Sequence, residues 1–132
     1  MFISLIFSFF LALASFVAFA ENTPDAVHLE VSNHEEALIL AREENRRVYL
    51  IFKSESCYWC ERQLVEMKKP KYARAMDGIV VCFIDTVDRR DLADRYRVSL
   101  VPSHRFLDSK GKVLKSSTGF MDSTKAERFL TP

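Results

Sequence analysis

Cys57-Tyr58-Trp59-Cys60 places two thiols three positions apart, shortly after the apolar run Val48-Tyr49-Leu50-Ile51-Phe52. The run predicts a strand and the residues after it predict a helix, so the first cysteine falls at a helix N-terminus. Such an end carries partial positive charge and unpaired N–H groups. A thiolate held there is stabilised, its pKa falls, and it becomes a nucleophile at neutral pH. The second cysteine faces the same side of the first turn and can close a disulfide. The pair therefore reads as a dithiol redox centre.

Two blander readings compete with it. One is a static structural disulfide, the other half of a zinc site. Zinc takes four protein ligands, or three and a water. The other candidates, Cys82, His28, His34 and His104, stand at no ligand spacing, so no metal-ligating set is assigned. A pair of thiolates carrying a soft ion such as Cu(I) is the weakest alternative. The odd count of three cysteines does not suit a disulfide framework. Cys82 lies within an apolar run and is read as a buried free thiol packing as a small hydrophobe. Between the cysteines, Trp59 and Tyr58 are read as substrate contacts, each offering an apolar body with a polar tip.

These residues need a frame. The first twenty residues, Met1 to Ala20, carry no charged side chain and end Ala18-Phe19-Ala20, before the polar Glu21-Asn22-Thr23-Pro24-Asp25. This pattern is a secretory signal peptide with a small-x-small cleavage site. Left uncleaved, the same stretch is long enough to anchor the chain in a membrane. Either way residues 21–132 are expected outside the cytoplasm, periplasmic or secreted, as one small domain. The 19 basic and 18 acidic side chains nearly cancel and are interspersed, which excludes a nucleic-acid surface. Nothing in the pattern requires more than a monomer.

A strand is expected at Val27–Val31. A helix follows, capped by Ser32 or Asn33, with Glu35 and Glu36 in its first turn and Asn45 ending it. Val48–Phe52 and Ile79–Asp85 are continuous apolar runs, the signature of strands covered on both faces. Between them the spacing predicts a helix from Cys57 to Lys69, with Leu64, Val65 and Met67 inward and Pro70 closing it. Lys53-Ser54-Glu55-Ser56 is read as a loop, and Tyr72–Met76 as a further helical turn. Arg90–Tyr96 is a short helix. Ser103–Leu107 and Val113–Ser117 form a hairpin about Asp108-Ser109-Lys110-Gly111-Lys112. Ser123 is expected to cap the last helix, Thr124 to Leu130. The fold class is α/β, a central mixed β-sheet flanked by helices. His104, two positions after Pro102, is read as a surface histidine in preference to one lying near the site.

Strand Val48–Phe52 running into Cys57-Tyr58-Trp59-Cys60, then Phe83-Ile84-Asp85, then Val101-Pro102, strand Phe106-Leu107-Asp108 and Gly119 together resemble the thioredoxin superfamily. The likeness is greatest to exported thioredoxin-like proteins of bacteria, including small periplasmic disulfide reductases, and it spans residues 21–132. It implies a thioredoxin-like fold and a thiol:disulfide oxidoreductase, with Cys57 the exposed nucleophile and Cys60 the buried resolving thiol. It implies that Pro102 is held cis beside the dithiol and that the N–H and C=O of Val101 pair with an extended substrate. It also implies no cofactor beyond the redox-active disulfide, cysteine-containing exported proteins as substrates, and a membrane electron donor if the direction is reductive.

The chain departs from the family's pattern in two places: the dipeptide between the cysteines is Tyr58-Trp59 instead of Gly-Pro or Pro-His, and a buried ion pair is missing. Thioredoxins proper bury an acid six positions before the first cysteine and pair it with a lysine on the next strand. Those positions are Ile51 and Val81 here. A pair lost together leaves no stranded charge. The proton of Cys60 is then left to water, or to Lys53 or Glu55. These departures keep a second class open, a thioredoxin-fold binding or maturation module in which redox turnover is incidental.

Overall fold

Along one central strand, alternate side chains belong to two different cores, because successive residues of a strand point to opposite faces. Val48, Leu50 and Phe52 enter one cluster with Ala37, Ala41, Val80, Cys82, Ile84, Leu92 and Leu107. Tyr49 and Ile51 enter the other with Met67, Tyr72, Met76, Ile79, Val81, Phe106, Met121, Ala126, Phe129 and Leu130. All five residues Val48–Phe52 are buried. This is why the run shows no alternation in sequence: both faces are covered.

The computed structural model describes residues 28–132. The expected signal segment and the first residue of the expected Val27–Val31 strand lie outside them. In chain order the elements are β1 (Leu29–Val31), α1 (His34–Glu44), β2 (Val48–Lys53), α2 (Tyr58–Met67), α3 (Pro70–Ala75), β3 (Val80–Asp85), α4 (Arg90–Arg95), β4 (Ser103–Leu107), β5 (Val113–Thr118) and α5 (Ser123–Phe129). The five strands form one sheet in the order β1-β3-β2-β4-β5. The first three are parallel, and β4 and β5 run antiparallel. Helices α1 and α4 supply one core and α2, α3 and α5 the other, giving the mixed sheet between helical layers that the alternation of elements requires. No helix among the described residues is long and apolar enough to cross a membrane.

The caps explain where the elements stop. Asn33 Oδ1 accepts the Glu36 N–H at 3.0 Å and opens α1, and Asn45 ends it in the left-handed region at φ 52°, a conformation asparagine tolerates better than most residues. The last helix is capped by Asp122 rather than Ser123: Asp122 Oδ1 accepts the Lys125 N–H at 2.7 Å. Ser123 is instead the first residue of α5, bonded through N–H and Oγ to Glu66. Pro70 does not merely close α2 but opens α3, at the position where a missing N–H costs nothing. Lys53 is the last residue of β2, opposite Asp85, and not part of the loop.

Helix α2 differs most from its reading in sequence. Val65 faces solvent at 59% exposure, while Gln63 and Glu66 turn inward with Cys60 and Met67. The inward side is thus Cys60, Gln63 and Met67, a helical stripe with a polar residue in its middle. A periodicity count based on apolar residues rejects that stripe. Replacing Val65 by lysine is accordingly expected to move the unfolding free energy by no more than about 0.5 kcal/mol. A urea melt checks it, and a loss several times larger would return Val65 to the core.

Candidate active site

Strand β2 ends at Lys53, and five positions later α2 begins at Tyr58. Ser56 takes a left-handed backbone at φ 56°, which turns the chain so that Cys57 becomes the N-cap of α2. Cys57 Sγ accepts the Cys60 N–H at 3.1 Å, the position in which a Ser or Asp oxygen normally satisfies an open helix end. A thiolate generated at Cys57 inherits that bond and the positive end of a ten-residue helix. Cys57 and Cys60 are joined in a disulfide with Cα atoms 5.2 Å apart. Cys57 is half-buried and Cys60 is only 4% exposed, so an incoming group meets Cys57 first.

The loop ahead of β4 faces this disulfide. The Val101–Pro102 peptide bond is cis, and the Val101 carbonyl oxygen lies 3.9 Å from Cys57 Sγ. Among the described residues no hydrogen bond engages the Val101 N–H. A backbone donor and acceptor are therefore free beside the sulfur. The loop is pinned from behind. Arg105, 6% exposed, donates from Nε to Tyr96 O at 3.0 Å and from Nη2 to Arg97 O at 3.2 Å, and Ser103 Oγ donates to Leu100 O at 2.6 Å.

An open groove of about 280 Å³ runs beside the disulfide, lined by Trp59, Val101, Pro102, Gly119 and Phe120. Among the described residues no charged side chain lines it. Trp59 and Phe120 form its walls, with ring centroids 5.8 Å apart, and Tyr58 stands edge-on to Trp59. Tyr58, Trp59 and Leu100 are exposed at 63%, 56% and 66%. Large apolar groups left in water around a cleft mark a contact surface.

The fold thus brings Cys57, Cys60, Trp59, Val101 and Pro102 together, with Tyr58 at the rim. Lys53 and Glu55 sit on the approach to α2, half-buried and exposed respectively, and no side-chain hydrogen bond or ion pair among the described residues ties either to the cysteines. Ile51 and Val81 are both buried in the core on the α2 side of the sheet, so the polar pair is replaced by apolar packing. Cys82 is fully buried in the opposite core, and burial pushes its thiol up to about 11. Among the described residues no three His, Cys, Asp or Glu side chains come together as a metal cluster.

Two groove residues, Gly119 and Phe120, were not marked as site residues by the sequence. The available signal was an aromatic following a glycine in a connection between hairpin and helix. His104 is the larger correction. It is fully buried, donates from Nε2 to Gly119 O at 2.9 Å, and burial lowers its pKa to about 4.

A sequence model of the Thioredoxin-like domain family matches residues 34–131. A search of curated proteins found no match. Among solved structures, a thioredoxin from Thermus thermophilus is 25% identical with a TM-score of 0.69, covering 79% of this chain and 85% of that one. A mutant thioredoxin from Halobacterium salinarum is 20% identical with a TM-score of 0.65, over 80% and 89% of the two chains. A disulphide isomerase from Xylella fastidiosa is 20% identical with a TM-score of 0.61, over 73% and 84%. The last two likenesses bear on the fold alone.

Proposed function

Because the chain belongs to the thioredoxin-like family and holds a Cys57–Cys60 disulfide at the head of α2, it is a thiol:disulfide oxidoreductase, and we propose that it works outside the cytoplasm as a reductase of disulfides in exported proteins. The observation that carries this reading is the half-buried Cys57 sulfur lying between the positive end of a helix and the free backbone of Val101. An extended peptide adds to the Val101 N–H and C=O as a strand would. The apolar groove between Trp59 and Phe120 suits an apolar side chain next to the substrate cysteine.

In the reduced protein the Cys57 thiolate attacks one sulfur of the substrate disulfide. The other substrate sulfur leaves as a thiolate and takes a proton. Cys60, as thiolate, then attacks Cys57 Sγ, the second substrate sulfur departs, and the disulfide seen here remains. Two electrons have passed from the dithiol to the substrate. A thiol donor at the membrane returns them, and no cofactor beyond the cysteines is required. The proton of Cys60 passes to water, or to Lys53 or Glu55 on the approach to α2. Export is supported by the Ala18-Phe19-Ala20 ending of the first twenty residues.

The test is an equilibrium titration against thiol/disulfide buffers, followed by thiol trapping and by the emission of Trp59. A reversible two-electron transition with a midpoint near about −270 mV is expected. A midpoint near about −120 mV would make the protein an oxidant, and no transition would remove the redox reading. In that last case the binding module takes its place, favoured by the apolar Ile51 and Val81. Capture of a partner that survives loss of both cysteines would support it.

A further inference from the structure

Behind the groove runs a chain of buried hydrogen bonds whose directions are all determined. Gln63 Oε1 accepts the Met121 N–H at 2.7 Å, and Gln63 Nε2 donates to Met121 O at 3.0 Å and to Tyr72 Oη at 3.1 Å. At the far end His104 Nε2 faces Gly119 O. A carbonyl only accepts, so Nε2 carries the hydrogen and Nδ1 is an acceptor. Tyr49 Oη, 2.7 Å from Nδ1, must then donate to it. Tyr72 Oη, 2.7 Å from Tyr49 Oη, donates in turn to Tyr49 while accepting from Gln63. No member is left unpaired.

This chain connects two places that matter to the site. Gln63 is one turn beyond Cys60 on the inward side of α2. His104 holds the carbonyl of Gly119, whose N–H donates to Pro102 O at 2.8 Å. Gly119, at φ +91°, and Phe120 line the groove opposite Trp59. Glu66 holds the next stretch at Ser123. The segment from Gly119 to Ser123 is therefore tied at Gly119 to the β4 hairpin and at Met121 and Ser123 to the helix bearing the dithiol. Among the described residues Phe120 has no polar tie of its own, and it stands where its neighbours put it.

We propose that His104 is a positioning residue, which through its bond to Gly119 holds the Phe120 wall of the substrate groove in register with the dithiol helix. The inference rests on the substrate groove assigned above. A fully satisfied buried network of this kind favours one arrangement of the core, and it occupies the same face of the sheet as the apolar Ile51 and Val81.

Two substitutions separate the two halves of the His104 role. Glutamine carries an amide N–H near the place of Nε2 and so keeps the bond to Gly119, giving up the acceptor for Tyr49. Asparagine carries an amide oxygen near the place of Nδ1 and does the reverse. Insulin reduction and the emission of Trp59, the single tryptophan, are measured for the parent, His104→Gln, His104→Asn and Phe120→Ala. In His104→Asn the KM for insulin rises about tenfold, the effect of about one lost hydrogen bond, with kcat within about twofold and Trp59 emission red-shifted. His104→Gln keeps the parental KM and emission. Equal KM shifts in the two variants, or none in either, would overturn the proposal, since a purely structural histidine treats them alike. Phe120→Ala replaces a half-buried side chain outside the network, so it folds even if His104→Asn does not. It too raises KM, and an unchanged KM counts against the proposal. If the parent reduces no insulin, the functional reading fails by itself. The emission of the two His104 variants then still decides the positioning role.

Discussion

Cys57→Ser is expected to lose insulin reduction by roughly 10³-fold or more, since the nucleophile is gone and no other group takes its part. Cys60→Ser is expected to fail differently. Its Cys57 still attacks, but nothing resolves the intermediate, so a mixed disulfide with substrate accumulates. Non-reducing electrophoresis and intact mass would show the adduct, and dithiothreitol would release it. The asymmetry follows from exposure. Cys57 is half-buried at the head of α2 beside the Val101 carbonyl, whereas Cys60 lies beneath it at 4% exposure. Cys82 offers no substitute, because it is fully buried and burial pushes its thiol up to about 11. Full turnover by Cys57→Ser would sink the assignment. An adduct formed through Cys60 in that variant would reverse the two roles.

Much of this was legible in the sequence, for reasons that can be named. β2 and β3 announce themselves because strands covered on both faces must be apolar throughout. The dithiol is legible because its spacing falls where an apolar strand run gives way to a helix, the place where a thiolate is stabilised. α1 is bracketed by Asn33 and Asn45, whose side chains suit the two ends for different physical reasons.

What escaped was polar burial. His104 stands in Ser103–Leu107, where every residue is buried, so alternation gives no hint of its surroundings. Its partner Tyr49 and the further network members Tyr72 and Gln63 come from β2, α3 and α2. A network assembled from separate elements leaves no local pattern, and polar residues are by default assigned to the surface. The same default put Val65 inside and passed over Gln63. Phe120 was passed over because a groove wall is created by what stands opposite, and Trp59 is 61 positions away.

Acidification is expected to destabilise the protein between about pH 6.5 and about pH 4, and His104 is the main reason. In the unfolded chain the imidazole takes up a proton near its ordinary value of 6.5. In the folded chain burial holds it neutral down to about pH 4, with Lys125 and Arg105 adding repulsion and only the Gly119 carbonyl favouring the charged form. Within that window the unfolded state binds more protons, so stability falls as pH falls. Above it His104 is neutral in both states and the full stability is present. The loss at the low end is on the order of 3 kcal/mol. Protonation also explains the loss mechanically. A charged His104 has no acceptor for Tyr49, and reversing the chain leaves one tyrosine hydrogen without a partner, because Gln63 is already committed as a donor to Tyr72. His34 is held below its ordinary pKa chiefly by burial and adds in the same direction. The carboxylates Glu35, Glu66, Asp91 and Asp108 are all held low by hydrogen bonds. Their contributions are present above ordinary carboxylate pKa values and are lost as pH falls through their lowered ones, so they weigh mostly below this window. Urea midpoints measured from about pH 7 to about pH 4 test the point. The parent should lose stability steeply, and His104→Gln, which cannot titrate, should keep only the shallower dependence left by His34. Equal slopes in the two proteins would mean that His104 takes up its proton in the fold near its ordinary value of 6.5, so that burial does not hold it neutral in this window.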